Sequence, residues 1–270
     1  MNSPMQKMTV AGHTISYDQH GDRTDPTVVL LTGWCQDHRL FDPLVPLLAN
    51  DHHVVRIDWR GHGEDRRPVA DFGPNEQASD TLAVLHALGI ERFLPMSTSH
   101  GGWANLELID RAGSDRAPSA IVIDWLMTPA SPEFLTGLAA SRGPNWVAAQ
   151  RDLFNIWLAG SGNELVRNHL DNEMAAFDHE MWARSCDVIA AAYAAWGSPL
   201  QRMEKLQETH RVRHLFSQPT APEYLRAQDE FHEANPWFSY RALGGETHFP
   251  TLDSPQLVAD EIRTFTCTDS

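Results

Sequence analysis

The order of its apolar segments constrains this chain more than any other feature. Short unbroken apolar runs alternate with segments patterned for helices, and the alternation stops for one long central stretch. Thr27-Val28-Val29-Leu30-Leu31, bounded by the turn from Gly21 to Pro26, is such a run. Apolar on both faces, it suits a strand buried within a parallel sheet. Further strands are expected at 7–10, 14–18, 53–57, 93–96, 120–124, 212–216 and 238–243. Ala78, Leu82, Leu85 and Leu88 recur at helical spacing and are stopped by Gly89, which predicts a helix over 75–88. Helices are also expected at 102–111, 222–234 and 255–265. Such alternation implies βαβ crossovers. From about Thr128 to Leu206 the pattern is helical throughout and carries Trp146, Trp157, Trp182 and Trp196. The expected architecture is α/β: a mostly parallel central sheet from 1–127 and 207–270, with 128–206 inserted as a helical cap.

At 270 residues and 42% hydrophobic, the chain has ample material for one large core. Its 36 acidic against 21 basic residues give a formal net charge of −15. That surface repels phosphate backbones and anionic lipid, so no nucleic-acid or membrane partner is expected. Met1 to Val10 has no apolar core of a secretory signal, and no stretch reaches the length of a membrane span. Cys35, Cys186 and Cys267 are odd in number and far apart, which fits a reducing cytoplasm. The 14 histidines do not cluster at ligand spacing, and no metal site is expected. Apolar faces on the outer helices would serve a core or a dimer equally well.

Four loops at expected strand ends carry the chemistry. Ser97-Thr98-Ser99-His100-Gly101-Gly102 lies between a strand and a helix. A Ser in such an elbow projects its hydroxyl above the sheet, although Ser97 stands where a Gly is usual; the same residue would also serve as a helix N-cap. Leu31-Thr32-Gly33-Trp34 closes a buried strand, so its loop and the amide of His100 are candidates for an oxyanion hole. Asp58-Trp59-Arg60-Gly61-His62-Gly63 reads as a structural turn. Gly244 to Pro250 places His248 just past the last strand, over the carboxyl edge where open α/β sheets bind ligands. The acid expected beyond the strand at 212–216 is missing from Phe216-Ser217-Gln218-Pro219-Thr220. Glu223 falls at a helix start, where a carboxylate is simply favourable. Asp124, closing Ile121-Val122-Ile123, is the better candidate.

With these residues the sequence resembles the α/β-hydrolase superfamily and, within it, the cofactor-independent 3-hydroxy-4-oxoquinoline 2,4-dioxygenases. The similarity runs along nearly the whole chain. It is densest in Gly33-Trp34-Cys35-Gln36-Asp37-His38-Arg39, Ser97-Thr98-Ser99-His100-Gly101, Ile123-Asp124-Trp125-Leu126, Trp196-Gly197-Ser198-Pro199 and Thr247-His248-Phe249-Pro250. The resemblance implies an α/β-hydrolase fold and cleavage of a quinolone ring by O2 with neither metal nor flavin. His248 would be the base, paired with Asp124, and Ser99 an orienting partner. The amides of Trp34 and His100 would bind the 4-oxo group, Gly33 would belong to the same substrate-binding loop, and Trp157 and Trp182 would wall the pocket. The cap, rich in Ala and Met, would leave room for a 2-alkyl chain such as heptyl. Trp125, Trp146 and Trp196 are read as packing. The rival readings are a serine esterase or lactonase with Ser99 as nucleophile, and a non-catalytic receptor that keeps the pocket.

Overall fold

The computed structural model describes residues 4–63, 66–67 and 69–267. Eight strands form one sheet: β1 (Gln6–Val10), β2 (His13–His20), β3 (Thr27–Leu31), β4 (His53–Ile57), β5 (Leu94–Thr98), β6 (Ser119–Ile123), β7 (Arg211–Phe216) and β8 (Phe238–Ala242). Their order is β1-β2-β4-β3-β5-β6-β7-β8. β1 and β2 pair antiparallel, as do β2 and β4, while β3 to β8 are joined in parallel. β4, β5 and β6 are buried at every residue, as continuous apolar runs require when both faces are covered. The chain leaves β3 for β4 on one side and reaches β5 on the other. The switch point between β3 and β5, where doubly covered sheets bind ligands, therefore faces the loops after Leu31 and Thr98.

The core-side helices are α1 (Val45–Leu48), α2 (Pro74–Ala87) and α3 (Gly102–Ala112). α4 (Pro132–Ala140), α5 (Trp146–Leu158), α6 (Glu164–Asn168), α7 (His179–Trp196) and α8 (Pro199–Met203) all lie between β6 and β7 in sequence. The chain then completes the sheet with α9 (Pro222–Ala234), α10 (Pro250–Asp253) and α11 (Pro255–Cys267). The inserted helices start on local signals. Ser131, Asp178 and Ser198 each accept a hydrogen bond from the first turn of α4, α7 and α8, and α4 and α8 also open on proline. A π-helical turn, His169–Met174, follows α6. α11 turns Val258, Ala259, Ile262 and Phe265 into the core.

Where the elements differ from expectation, polar residues with partners in the folded chain are the reason. β2 extends to His20 because Gln19 and His20 continue the ladder against Val55 and Val54. β5 runs on through Ser97 and Thr98, which pair with Val122 and Ile123. Apolarity stops earlier, but the Ser97 hydroxyl accepts from Asn105 Nδ2 at 3.0 Å. That partner accounts for a serine where the elbow pattern has glycine. β6 ends at Ile123, so Asp124 is the first loop residue, at φ +45°. The short α1, α10 and the 3-10 turn His38–Phe41 carry too little periodicity to be read from sequence. Cys35 and Cys186 are buried free thiols, and the Cys267 side chain lies outside the described part. Among the described residues no helix is long and apolar enough to cross a membrane.

Candidate active site

Three non-glycine residues stand in the left-handed region at the carboxyl ends of parallel strands: Cys35 after β3, Ser99 after β5 and Asp124 after β6. Such backbone costs of order 1–3 kcal/mol each and persists only where its surroundings over-determine it. At the elbow those surroundings are visible. A Cβ on Gly101 would lie 2.2 Å from the Thr32 carbonyl oxygen, and one on Gly102 would lie 2.2 Å from the buried Trp125 ring. The β5–α3 turn therefore presses directly on the β3 loop and on the floor beneath it. Ser99 emerges at its apex.

Ser99 Oγ lies 3.2 Å from His248 Nε2. His248 is fixed from three directions. Its amide donates to the Trp157 carbonyl at 3.0 Å, and its ring stacks on the Trp157 indole, 5.1 Å between centroids at 14°. The Phe249 ring meets it edge-on at 5.3 Å. Burial pushes the imidazole down to about 4, so it is neutral at physiological pH and holds a lone pair for a proton. The His100 ring, between Phe134 and Tyr193, is pushed down to about 3 by burial and by the nearby His248.

The β3 loop differs in detail from what its sequence suggested. The Gly33 amide is already occupied by Gln36 Oε1 at 2.8 Å and Thr98 Oγ1 at 2.9 Å. It cannot also bind a ligand oxygen; Gly33 instead allows Ser99 to approach, since a Cβ there would sit 3.2 Å from Ser99 Cβ. Among the described residues the amides of Trp34 and His100 donate to no other element and no side chain. Gln36 and Thr98, which hold this loop, were not singled out from sequence. Asp58 accepts both from the His38 amide at 2.7 Å and from its ring at 2.9 Å, which ties the turn after β4 to the same loop. Asp37 is held down to about 2: burial opposes ionisation, but Arg39 outweighs it. Arg66 donates to Asp37 at 2.7 Å and lies over the Phe177 ring.

Asp124 is fully committed at one oxygen. Oδ1 accepts from the amides of Ser217 and Gln218, both at 2.8 Å, while the buried Oδ2 has no hydrogen-bond partner among the described residues. Burial, with the neighbouring Asp253 adding to it, pushes its carboxyl up to about 8 despite those amides. Among the described residues no hydrogen bond or ion pair joins Asp124 to His248.

The expected tryptophans divide. Trp157 belongs to the base itself, stacked on His248. Trp182 is buried against Phe154 at 5.9 Å, inside the inserted helices. Trp125 is core beneath Gly102, Trp146 stacks on His179, and Trp196 is 41% exposed with Arg202 over its ring. Glu223 sits in the first turn of α9, as a helix-start carboxylate. A cavity of about 520 Å³ opens at the amino ends of β3, β5 and β6, lined by Thr27, Leu94 and Ser119. That is the opposite edge of the sheet from Ser99 and His248.

This fold and this elbow define a class. Residues 28–261 match the model of the alpha/beta hydrolase family, to which the chain belongs. Relatives narrow the assignment. The chain is 45% identical over 97% of its length to a 1H-3-hydroxy-4-oxoquinoline 2,4-dioxygenase of Pseudomonas putida, covering 99% of it. It is 44% identical to a 2-heptyl-3-hydroxy-4(1H)-quinolone dioxygenase of Mycobacteroides abscessus, with 94% of each chain covered. Among solved structures, the AqdC variant bound to its substrate, the Pseudomonas quinolone signal, superposes at TM-score 0.93 with 43% identity, covering 96% of this chain and 97% of that one. The chain is a member of this family of ring-cleaving dioxygenases on an α/β-hydrolase fold.

Proposed function

We propose that this protein cleaves the ring of a 3-hydroxy-4(1H)-quinolone, 2-alkyl substituted as in the 2-heptyl compound, releasing carbon monoxide and an N-acylanthranilate. The observation that carries the reading is the neutral His248 imidazole set 3.2 Å from Ser99 Oγ at the sheet's carboxyl edge. It is supported by full-length similarity to enzymes named for this reaction. In this reading His248 Nε2 takes the proton of the substrate 3-hydroxyl, a step worth roughly 10²–10⁴ in rate when positioned. Trp157 stabilises the resulting imidazolium through its ring face. Ser99 donates to the substrate oxygen and does not attack it. The amides of Trp34 and His100 hold the 4-oxo group, where charge accumulates as the 3-hydroxyl ionises.

The anion gives one electron to O2, and the radical pair joins at C2 as a peroxide. Its outer oxygen attacks C4. The bicyclic peroxide breaks its O–O bond together with the C2–C3 and C3–C4 bonds, so C3 leaves as carbon monoxide and both atoms of O2 remain in the N-acylanthranilate. Asp124, its carboxyl pushed up by burial, compensates the positive charge on the imidazole only once it ionises. Residues 1–127 and 207–270 are the platform for this chemistry, and 128–206 close over it to exclude water from the anion. A protein that works so needs no bound cofactor, and we place it in the cytoplasm.

The test is oxygen uptake with carbon monoxide release on adding a 3-hydroxy-4-quinolone, measured with 2-heptyl and unsubstituted substrates side by side. Equal amounts of O2 consumed and CO released, with higher kcat/KM for the heptyl compound, are expected. Fluorophosphonate labelling of Ser99 without oxygen uptake would instead make the protein a serine hydrolase, and tight quinolone binding without turnover a receptor.

A further inference from the structure

We propose that Asp253 is a positioning residue for His248, clamping the residue before the base with one carboxylate oxygen and facing the Asp124 loop cluster with the other. The inference rests on the reading of His248 as the base. Asp253 closes α10, five residues after His248. Its Oδ2 accepts from the Thr247 amide at 2.9 Å and from the Thr247 hydroxyl at 2.7 Å. Thr247 Oγ1 in turn accepts from the Phe249 amide at 3.0 Å. The two residues flanking His248 are therefore tied to one carboxylate, and the His248 amide is tied to Trp157. A base on a glycine-rich loop needs such ties, because a displacement of about 1 Å at a reacting group costs on the order of 10²-fold.

The second oxygen faces inward. Among the described residues, Asp253 Oδ1, Ser217 Oγ and Asp124 Oδ2 are all buried without a hydrogen-bond partner. Two of them close on one point: a Cβ on Gly245 would meet Ser217 Oγ at 2.3 Å and Asp253 Oδ1 at 3.1 Å. Asp124 meets the same cluster through the Ser217 amide. Besides Asp253, the titratable neighbours of Asp124 are Tyr224 on α9, whose hydroxyl donates to the Trp125 carbonyl, and His214 on β7, whose Nε2 is 3.4 Å from the Trp125 amide. Both are kept un-ionised by burial. The charge of Asp253 is thus the one that raises Asp124 further. Asp253 has two separable functions: a clamp that needs an acceptor oxygen, and a charge that sets when Asp124 ionises.

Two substitutions separate them. Asp253→Asn keeps an acceptor for Thr247 but loses the charge, so Asp124 ionises at lower pH. The acid limb of kcat/KM is then expected to move down by about half a unit or more. Asp253→Ala loses both, and its plateau kcat is expected to fall about tenfold or more below that of the Asn variant, with KM changed far less. Should the Ala variant not fold, Thr247→Val breaks the hydroxyl half of the clamp at constant volume and is expected to lower kcat without moving the acid limb. Wild-type pH profiles and plateaus in the Asp253 variants, or losses that only track melting temperature, would overturn the inference. His248→Ala is measured alongside: an active His248→Ala enzyme defeats the base reading itself, whereas an inactive one beside normal Asp253 variants defeats only the positioning role.

Discussion

Replacing Gly101 by Ala tests how the elbow is held. The new Cβ would stand 2.2 Å from the Thr32 carbonyl oxygen, so one of the two must retreat by about 1 Å to reach ordinary contact. Thr32 cannot retreat freely, because its carbonyl accepts the buried Trp59 indole N–H at 2.9 Å. Overpacking costs about 1–3 kcal/mol, and losing the indole bond about 1 kcal/mol more. At about 2–4 °C per kcal/mol for a chain of this size, the melting temperature should fall by about 5–15 °C. Activity should fall further than stability, since Thr32 leads into Gly33 and Trp34 and a 1 Å misplacement costs about 10²-fold. Gly137 in α4 is the control: nothing lies within 4 Å of its Cβ position, so Gly137→Ala should be neutral or stabilising by about 0.5–1 kcal/mol. Differential scanning fluorimetry and oxygen uptake measure both variants. A Gly101→Ala enzyme with wild-type melting and turnover would refute the claim that this contact sets the elbow.

Other expectations follow from the same geometry. Ser99→Ala removes a hydrogen-bond donor but no nucleophile, so kcat should fall about 10- to 100-fold in steady-state oxygen uptake; a loss near 10⁶ would indicate covalent catalysis. Trp157→Phe retains a ring face for His248 while Trp157→Leu does not, and the Leu variant should lose about 2- to 30-fold more kcat/KM; equal losses would remove the indole face from the account. His62, buried between Phe72 and Phe177, is pushed down to about 4. Unfolding therefore takes up a proton at this site between about pH 6.5 and 4, and the wild type loses stability as pH falls through that window. His62→Phe lacks this uptake, so its stability relative to wild type should improve on acidification by up to about 1.4 kcal/mol per pH unit. Parallel urea-denaturation curves at pH 7 and 5 check the sign, and a constant difference would contradict it.

Much of the fold was legible because the strands that matter are buried on both faces. β3, β4 and α9 begin and end where their patterns do. Legibility failed where polar residues find partners that only the folded chain supplies, as at Ser97 with Asn105 or His20 with the β4 ladder. The site divides in the same way. Ser99 and His248 announce themselves through glycine-rich turns at strand ends, and the structure brings them to 3.2 Å. The Gly33 amide looks available in the sequence, but its occupants come from Gln36 and from Thr98, sixty-five residues away. Asp124 was reached by elimination; that its carboxylate is held by the Ser217 and Gln218 amides depends on how β6 and β7 pair. Asp253 left no signal beyond its spacing from Thr247, because an aspartate at the end of a short helix is ordinary. That Trp157 stacks on His248 could not be read from sequence, since nothing in a helical pattern tells which ring a tryptophan will face.

An anaerobic titration with a 3-hydroxy-4-quinolone tests the proton transfer most directly. The wild type should generate the absorbance of the quinolone anion at neutral pH, and admitting air should bleach it as the ring opens. His248→Ala should bind the quinolone without ionising it. Anion formation and ring opening at wild-type rates in that variant would contradict the account.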